Sequence, residues 1–217
     1  MAARATAHWL LKGVGIALCI TLFMGAYFAL LRHPQFALTV VPRTRMDHWI
    51  GFTPWALLPY VSLWIYIGLA PTLLHTRHEM LPYLSSALLV AVIGCSIFYF
   101  FPTAVPASTI DWSAWPAVAF LKSADAAGNA CPSLHVAFAV LTAIWLAWLL
   151  RRMAAPRWLR WINLLWCLAI TWSTIALRQH VLLDVIAGGA LGATAALASL
   201  YAGQIRQRQR RSSPNIS

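Results

Sequence analysis

The sequence predicts an all-α fold, a polytopic membrane helix bundle with about six transmembrane helices. Of 217 residues, 61% are hydrophobic and only 10% are charged, too few charges to clothe a water-soluble globule. The mean hydropathy is +0.70. Uncharged apolar runs recur at 13–31, 48–76, 80–110, 126–150, 161–177 and 185–204, and most reach or approach the roughly 20 residues that cross a bilayer as helix. The whole of 1–217 reads as one membrane-embedded domain with no soluble appendage.

A short basic N-terminus precedes span one, about 13–31. This run is long, lacks a small-x-small cleavage site and is followed by bulky Leu31, Arg32 and His33, so it reads as a retained span and not a signal peptide. The loop that follows, to Thr53, is rich in proline and basic residues and holds Pro34, Pro42, Arg43, Arg45 and Asp47. Trp49 and Trp55 suit the membrane interface. Span two, about 55–74, keeps Pro59 and Pro71 near its ends, where a lost backbone hydrogen bond costs least. A basic turn, His75 to His78, leads to span three, about 81–101.

The Pro102–Pro132 connection is the longest and least apolar, with Asp111, Lys122, Asp125 and Asn129. Its Trp112 and Trp115 either lie flat as a floor beside a lipid-facing site or serve as ordinary interfacial anchors. Span four covers about 135–150, span five about 161–177 and span six about 181–202, with a strongly basic turn at 151–160. Gly188-x-x-x-Gly192 in span six offers a smooth face for close helix packing. The basic tail, 204–217, is expected to be disordered.

The net charge of +11 would suggest a nucleic-acid partner in a soluble protein. Here the basic residues gather at segment ends, where they set topology, and no nucleic acid is expected. With a cytoplasmic N-terminus, eleven basic residues fall inside and five outside, the five being Arg32, Arg43, Arg45, Lys122 and Arg178. That bias predicts cytoplasmic N- and C-termini in a plasma or inner membrane, with the segments around His135 and His180 on the periplasmic or extracellular face. Three of the four cysteines, Cys19, Cys95 and Cys167, lie inside apolar runs and read as small buried residues. Cys131 is either reactive or a packing residue. No metal-ligand spacing is present, so no metal or cofactor is expected, and nothing in the sequence sets the oligomeric state.

Two segments carry chemistry. In Ser173-Thr-Ile-Ala-Leu-Arg-Gln-His180-Val-Leu-Leu-Asp184, the carboxylate stands at the edge of the last apolar run. An ionisable group near membrane depth costs about 2.5–3.5 kcal/mol on insertion scales, so it normally has a partner. His180 lies four residues before Asp184, and on a helix the two share one face. A carboxylate on one imidazole nitrogen fixes the tautomer and makes the other a better base or nucleophile. Alone, the pair is equally a buried polar contact that pins helix packing.

The second segment, Asn129-Ala-Cys-Pro132-Ser133-Leu134-His135-Val136, opens span four. Pro132 and Ser133 suit a helix start, whose free N–H groups and positive dipole end attract anions. Ser133 adds a hydroxyl and His135 an acid or base. Alone, this is equally an N-cap followed by an interfacial histidine.

Together the two segments resemble the type 2 phosphatidic acid phosphatase superfamily, which includes membrane lipid phosphatases and haloperoxidases. Pro132, Ser133 and His135 match its Pro-Ser-Gly-His element with Leu134 in place of Gly. Ser173, His180 and Asp184 match its Ser-Arg, five residues, His, three residues, Asp element, with Thr174 in place of Arg. The first element, a Lys and an Arg-Pro near the end of span three, has no counterpart, since 80–110 contains no Lys or Arg. The Cys-Pro-Ser-Leu-His form, preceded by Asp125 and Asn129, is more similar to the branch containing inositol phosphorylceramide synthases and related bacterial proteins.

The resemblance implies a phosphorylated membrane lipid as substrate and no metal. His180 would attack phosphorus to form a phosphohistidine, with Asp184 holding its ring. His135 would protonate the leaving alkoxide, and Ser133 with the span-four N-terminus would bind phosphate oxygens. Arg178 is the first candidate to replace the missing phosphate cations, ahead of Lys122 and the pair Arg43 and Arg45. Three functions stay open: a lipid phosphate phosphatase, a lipid phosphotransferase using an alcohol acceptor, and a non-catalytic lipid-binding or transport protein.

Overall fold

The computed structural model describes residues 9–124 and 129–212; Asp125, the basic residue Arg4 and the last five positions of the tail lie outside the described residues. Six helices are long and apolar enough to cross a membrane, Lys12–Arg32, Pro54–Leu73, His78–Phe100, Leu134–Arg152, Arg157–Ala176 and Leu182–Ile205. The architecture is the expected all-α polytopic membrane bundle.

Helix α1 (Trp9–Arg32) is followed by β1 (Thr39–Val40) and a one-turn helix α2 (Arg45–Trp49). The second span is broken: a 3-10 turn at Pro54–Ala56 runs into α3 (Leu57–Val61) and then α4 (Leu63–Leu73), with Ser62 between them turning its hydroxyl onto the Pro59 carbonyl at 2.7 Å. Helix α5 (Arg77–Phe100) carries Pro82 in its second turn, and Thr76 caps it by accepting from Glu79 N. The long connection forms β2 (Thr103–Ala104), a 3-10 turn at Trp112–Ala114 and α6 (Pro116–Ala124). Strands β1 and β2 pair in parallel, Thr39 with Thr103 and Val40 with Ala104, tying the first connecting loop to the third. Helices α7 (Leu134–Arg152), α8 (Arg157–Ala176) and α9 (Leu182–Ser212) complete the chain.

Span α7 is the axis of the bundle, packed by α9, α8, α4 and α5. Leu141, Trp145 and Leu149 of α7, Tyr66 of α4 and Ile170 of α8 form its core. Polar contacts cross this core at Asn163, whose Oδ1 accepts from Tyr66 OH at 2.7 Å and whose Nδ2 donates to Ala143 O at 2.9 Å. Lys12 is buried, with Nζ donating to the Thr72 carbonyl at 3.0 Å, where the negative end of α4 favours a cation.

One expectation is corrected. The basic tail is not disordered where it is described: α9 continues unbroken to Ser212, because Arg and Gln are good helix formers and the helix is already nucleated within the bundle. Trp112 and Trp115 share one aromatic neighbour. Both meet Phe52 edge-on, at 5.5 Å and 6.0 Å between ring centroids, and Trp112 packs with Leu121 beside Tyr60, Val118 and Leu177.

Candidate active site

The site lies where α8 ends, α9 begins and α7 begins. Helix α8 closes with the hydrogen bonds of a Schellman motif: Arg178 N donates to Ile175 O at 2.9 Å and Gln179 N to Thr174 O at 3.0 Å. The residue at the left-handed position of that motif is Arg178, at φ 59°, where glycine is the usual occupant because a Cβ is strained there. His180 N shares the Thr174 carbonyl at 3.1 Å, so the nucleophile candidate is delivered directly from the helix end. Thr174 is buried with its hydroxyl turned back onto Thr171 O at 2.8 Å; it is no substitute for the arginine expected at its position.

Asp184 is fully buried, in the first turn of α9. One oxygen, Oδ2, accepts the Val181 N–H at 3.0 Å and lies 3.4 Å from His180 Nδ1. A first-turn carboxylate reaching back to the N–H before the helix is half of a capping box, so the cap geometry itself aims the carboxylate at the ring. The 3.4 Å contact is longer than a well-aligned hydrogen bond, and such contacts often tighten only with substrate bound. With Nδ1 against the carboxylate, Nε2 of His180 is the nitrogen turned away from it.

The second segment is fixed onto the first by its backbone. Ser133 N donates to Asp184 O at 3.0 Å, and Ser133 Oγ caps α7 by accepting from Val136 N at 3.3 Å, which leaves its hydroxyl proton free to donate. Upstream, Thr103 Oγ1 accepts the Cys131 N–H at 2.7 Å, and Asn129 Nδ2 donates to Tyr27 O at 3.0 Å. His135 stacks on Tyr60, with ring centroids 4.0 Å apart and planes 17° from parallel. Ser133, two residues before it, ties this start of α7 to Asp184 beside His180.

Among the described residues, several of the buried polar atoms without a protein hydrogen bond gather here: His135 Nε2, Gln179 Nε2, His180 Nδ1 and Asp184 Oδ1. Buried polar atoms left unpaired are costly, and this arrangement suits a polar or anionic group held between the two histidines.

The cations are nearby. Arg178 Nη1 donates to Asp47 O at 2.9 Å, and Lys122 Nζ donates to the Arg178 carbonyl and lies 5.5 Å from the Trp112 ring. Arg43 Nη2 donates to the carbonyls of Pro106 and Ala107, both at 3.1 Å. Burial first, and the Arg43 guanidinium second, lower the Arg178 guanidinium from its ordinary value, with Asp47 acting in the opposite sense; an arginine keeps its charge regardless. Arg45 is exposed. Cys131 is half-buried against Asp184, and burial, reinforced by that carboxylate, pushes its thiol up to about 11; it is a protonated packing residue, not a thiolate.

The structure thus brings His180, Asp184, Ser133 and His135 together and sets Arg178 and Lys122 at the same end of the bundle. Sequence reasoning missed Tyr60 and Asp47. Nothing local marked either residue as a neighbour of the histidines.

No curated protein and no solved structure matches the chain. A family model, that of the PAP2 superfamily, matches residues 79–208, more than half of the chain. The stretch contains both histidine segments in the order and spacing the bundle folds around, and the chain belongs to the PAP2 superfamily.

Proposed function

We propose that this chain is an integral membrane lipid phosphate phosphatase that hydrolyses a phosphomonoester or pyrophosphate of a membrane lipid through a phosphohistidine at His180. Family membership supports a phosphatase or phosphotransferase kind of function. The observation that carries the finer reading is His180 Nδ1 set 3.4 Å from a fully buried carboxylate, with the other ring nitrogen left for phosphorus.

In this reading His180 Nε2 attacks phosphorus, the N–P bond forms and the P–O bond to the lipid breaks. Asp184 stabilises the imidazolium that develops. An arriving phosphate favours the protonated form of His135, which gives its proton to the departing alkoxide. His135 then takes a proton from water as water attacks the phosphohistidine, the N–P bond breaks and phosphate leaves; such acid–base help contributes roughly 10²–10⁴-fold. Ser133, the α7 N-terminus and Arg178 hold the non-bridging oxygens, and Lys122 adds charge from the same end. The excess of basic residues on one side of the chain supports a cell-membrane protein with cytoplasmic termini and the site on the opposite face.

With an alcohol in place of water, the same residues make a phosphotransferase. The Cys131-Pro132-Ser133-Leu134-His135 form favours that second reading. The test is phosphate release from a panel of lipid phosphates by detergent-purified protein with EDTA present. Release that survives EDTA and disappears in His180→Ala supports the phosphatase; a new phosphodiester on adding inositol or another alcohol moves the reading to the transferase. No turnover of either kind leaves a lipid-binding or transport protein on this scaffold.

A further inference from the structure

We propose that Asp47, in the loop between the first two spans, is a positioning residue of the His180 site: its side chain fixes the start of α9 while its own turn holds the Arg178 guanidinium. The inference rests on the phosphatase reading. It concerns a part of the chain outside residues 79–208, to which the family match is confined.

Asp47 is 1% exposed, and both of its carboxylate oxygens are used. Oδ2 accepts from Thr44 N at 2.6 Å and Thr44 Oγ1 at 2.8 Å. Oδ1 accepts from Leu182 N at 2.7 Å. Leu182 is the first residue of α9, and its N–H belongs to the group that no helix can satisfy internally. The residue before it, Val181, has no side-chain acceptor with which to cap the helix. The cap therefore comes from 135 residues away, whereas α7 is capped locally by Ser133.

This division of labour matters for His180. Asp184 Oδ2 already serves the Val181 N–H and the His180 ring. Without Asp47, the Leu182 N–H would be a further donor in the same helix turn as Asp184, competing with the ring for its carboxylate. The Asp47 carbonyl meanwhile accepts from Arg178 Nη1 at 2.9 Å, and its turn is closed by Asp47 N donating to Thr44 O at 3.2 Å. One residue thus sets both the carboxylate partner of the nucleophile and the aim of the cation two residues before it. A local cap would stabilise α9 equally well but would not couple it to Arg178.

The experiment measures orthovanadate binding, as a phosphate mimic independent of lipid identity, to the detergent-purified full chain by calorimetry. Hydrogen exchange over 180–184 is followed on the same samples. Asp47→Ala is expected to weaken vanadate about tenfold to a hundredfold, the loss that a misplacement of about 1 Å brings, and to speed exchange at Leu182 with the remaining helices still protected. Asp47→Asn, which keeps an acceptor oxygen, is expected to lose less, and Asp47→Ala combined with Arg178→Ala to bind worse than Arg178→Ala, because the Leu182 cap acts on the Asp184–His180 pair as well. Asp111→Asn, on an exposed acid that caps only its own turn at Ser113, is expected to bind like wild type.

If His180→Ala abolishes vanadate binding while both Asp47 variants bind like wild type, the Asp47 inference is wrong and the phosphatase reading stands. If Asp47→Ala does not fold, Asp47→Asn decides: a lower melting temperature with unchanged vanadate affinity makes the residue structural only. Wild-type protein that binds no vanadate, or binds it independently of His180, overturns the phosphatase reading and this inference with it.

Discussion

The carbonyl oxygen of Ser133 lies against Gly188 so closely that a Cβ on the glycine would stand 2.2 Å from it. One turn later the same relation holds between Gly192 and the Ala137 carbonyl, at 2.1 Å. These contacts set the distance between α7 and α9, and so between His135 and His180. The Gly188-x-x-x-Gly192 pattern therefore has a consequence for the site as well as for packing.

Gly188→Ala is expected to cost about 1–3 kcal/mol of stability, the usual range for overpacking, because the obstructing atom is backbone and has nowhere to yield. It should also lower turnover in the fraction that folds. Gly189, with nothing within 4 Å of its Cβ position, supplies the contrast: Gly189→Ala should be neutral or stabilise by up to about 1 kcal/mol through helix propensity. Melting curves in detergent, with activity per folded molecule, check both; equal effects at the two glycines would contradict the packing account.

Arg178→Gly should separate stability from function. The left-handed backbone at Arg178, φ 59°, is strained for any residue with a Cβ, so glycine should gain about 1 kcal/mol. The same substitution removes the guanidinium carried two residues before His180, and KM for the lipid phosphate should rise at least tenfold. A variant that is neither more stable nor impaired would show that Arg178 neither bears strain nor meets phosphate.

Cys131 gives a prediction in pH. Its thiol is pushed up to about 11 by burial and by Asp184, and the thiolate is the reactive form. Since the raised value keeps the proton on, only about a thousandth of the thiol is ionised at pH 8, and alkylation should be slow there. The iodoacetamide rate, followed by mass spectrometry of the Cys131 peptide, should climb about tenfold per pH unit until near 11. A plateau reached by pH 9 would contradict this environment.

Much of the bundle was legible in the sequence because membrane spans advertise themselves by uncharged length: among the described residues, six long apolar helical segments lie within a few residues of the six expected spans. His180 and Asp184 were legible from their four-residue spacing, although His180 lies before α9 and meets Asp184 through the cap geometry, not on a shared helix face; Ser133 was legible because caps are local. What was not legible is long-range. Asp47 meets Leu182 across 135 residues, and Tyr60 stacks on His135 from a different span; neither contact leaves a periodic trace. The left-handed Arg178 was hidden for the opposite reason, since a helix end without glycine carries no stop signal there. The helical tail was misread because polar, basic composition was weighed without the helix already running into it.

The central claim is that phosphorus passes through His180. Its most direct test is rapid quenching of turnover with a substrate carrying radiolabelled phosphate, under alkaline denaturing conditions that preserve phosphohistidine, followed by peptide mapping. Label is expected on the His180 peptide, none in His180→Ala, and a drop on the order of ten-thousandfold in its rate of appearance in Asp184→Asn, as when an orienting carboxylate is neutralised in other histidine-dependent sites. Label on Ser133 or Cys131 instead, or undiminished turnover with no labelled enzyme, would contradict it.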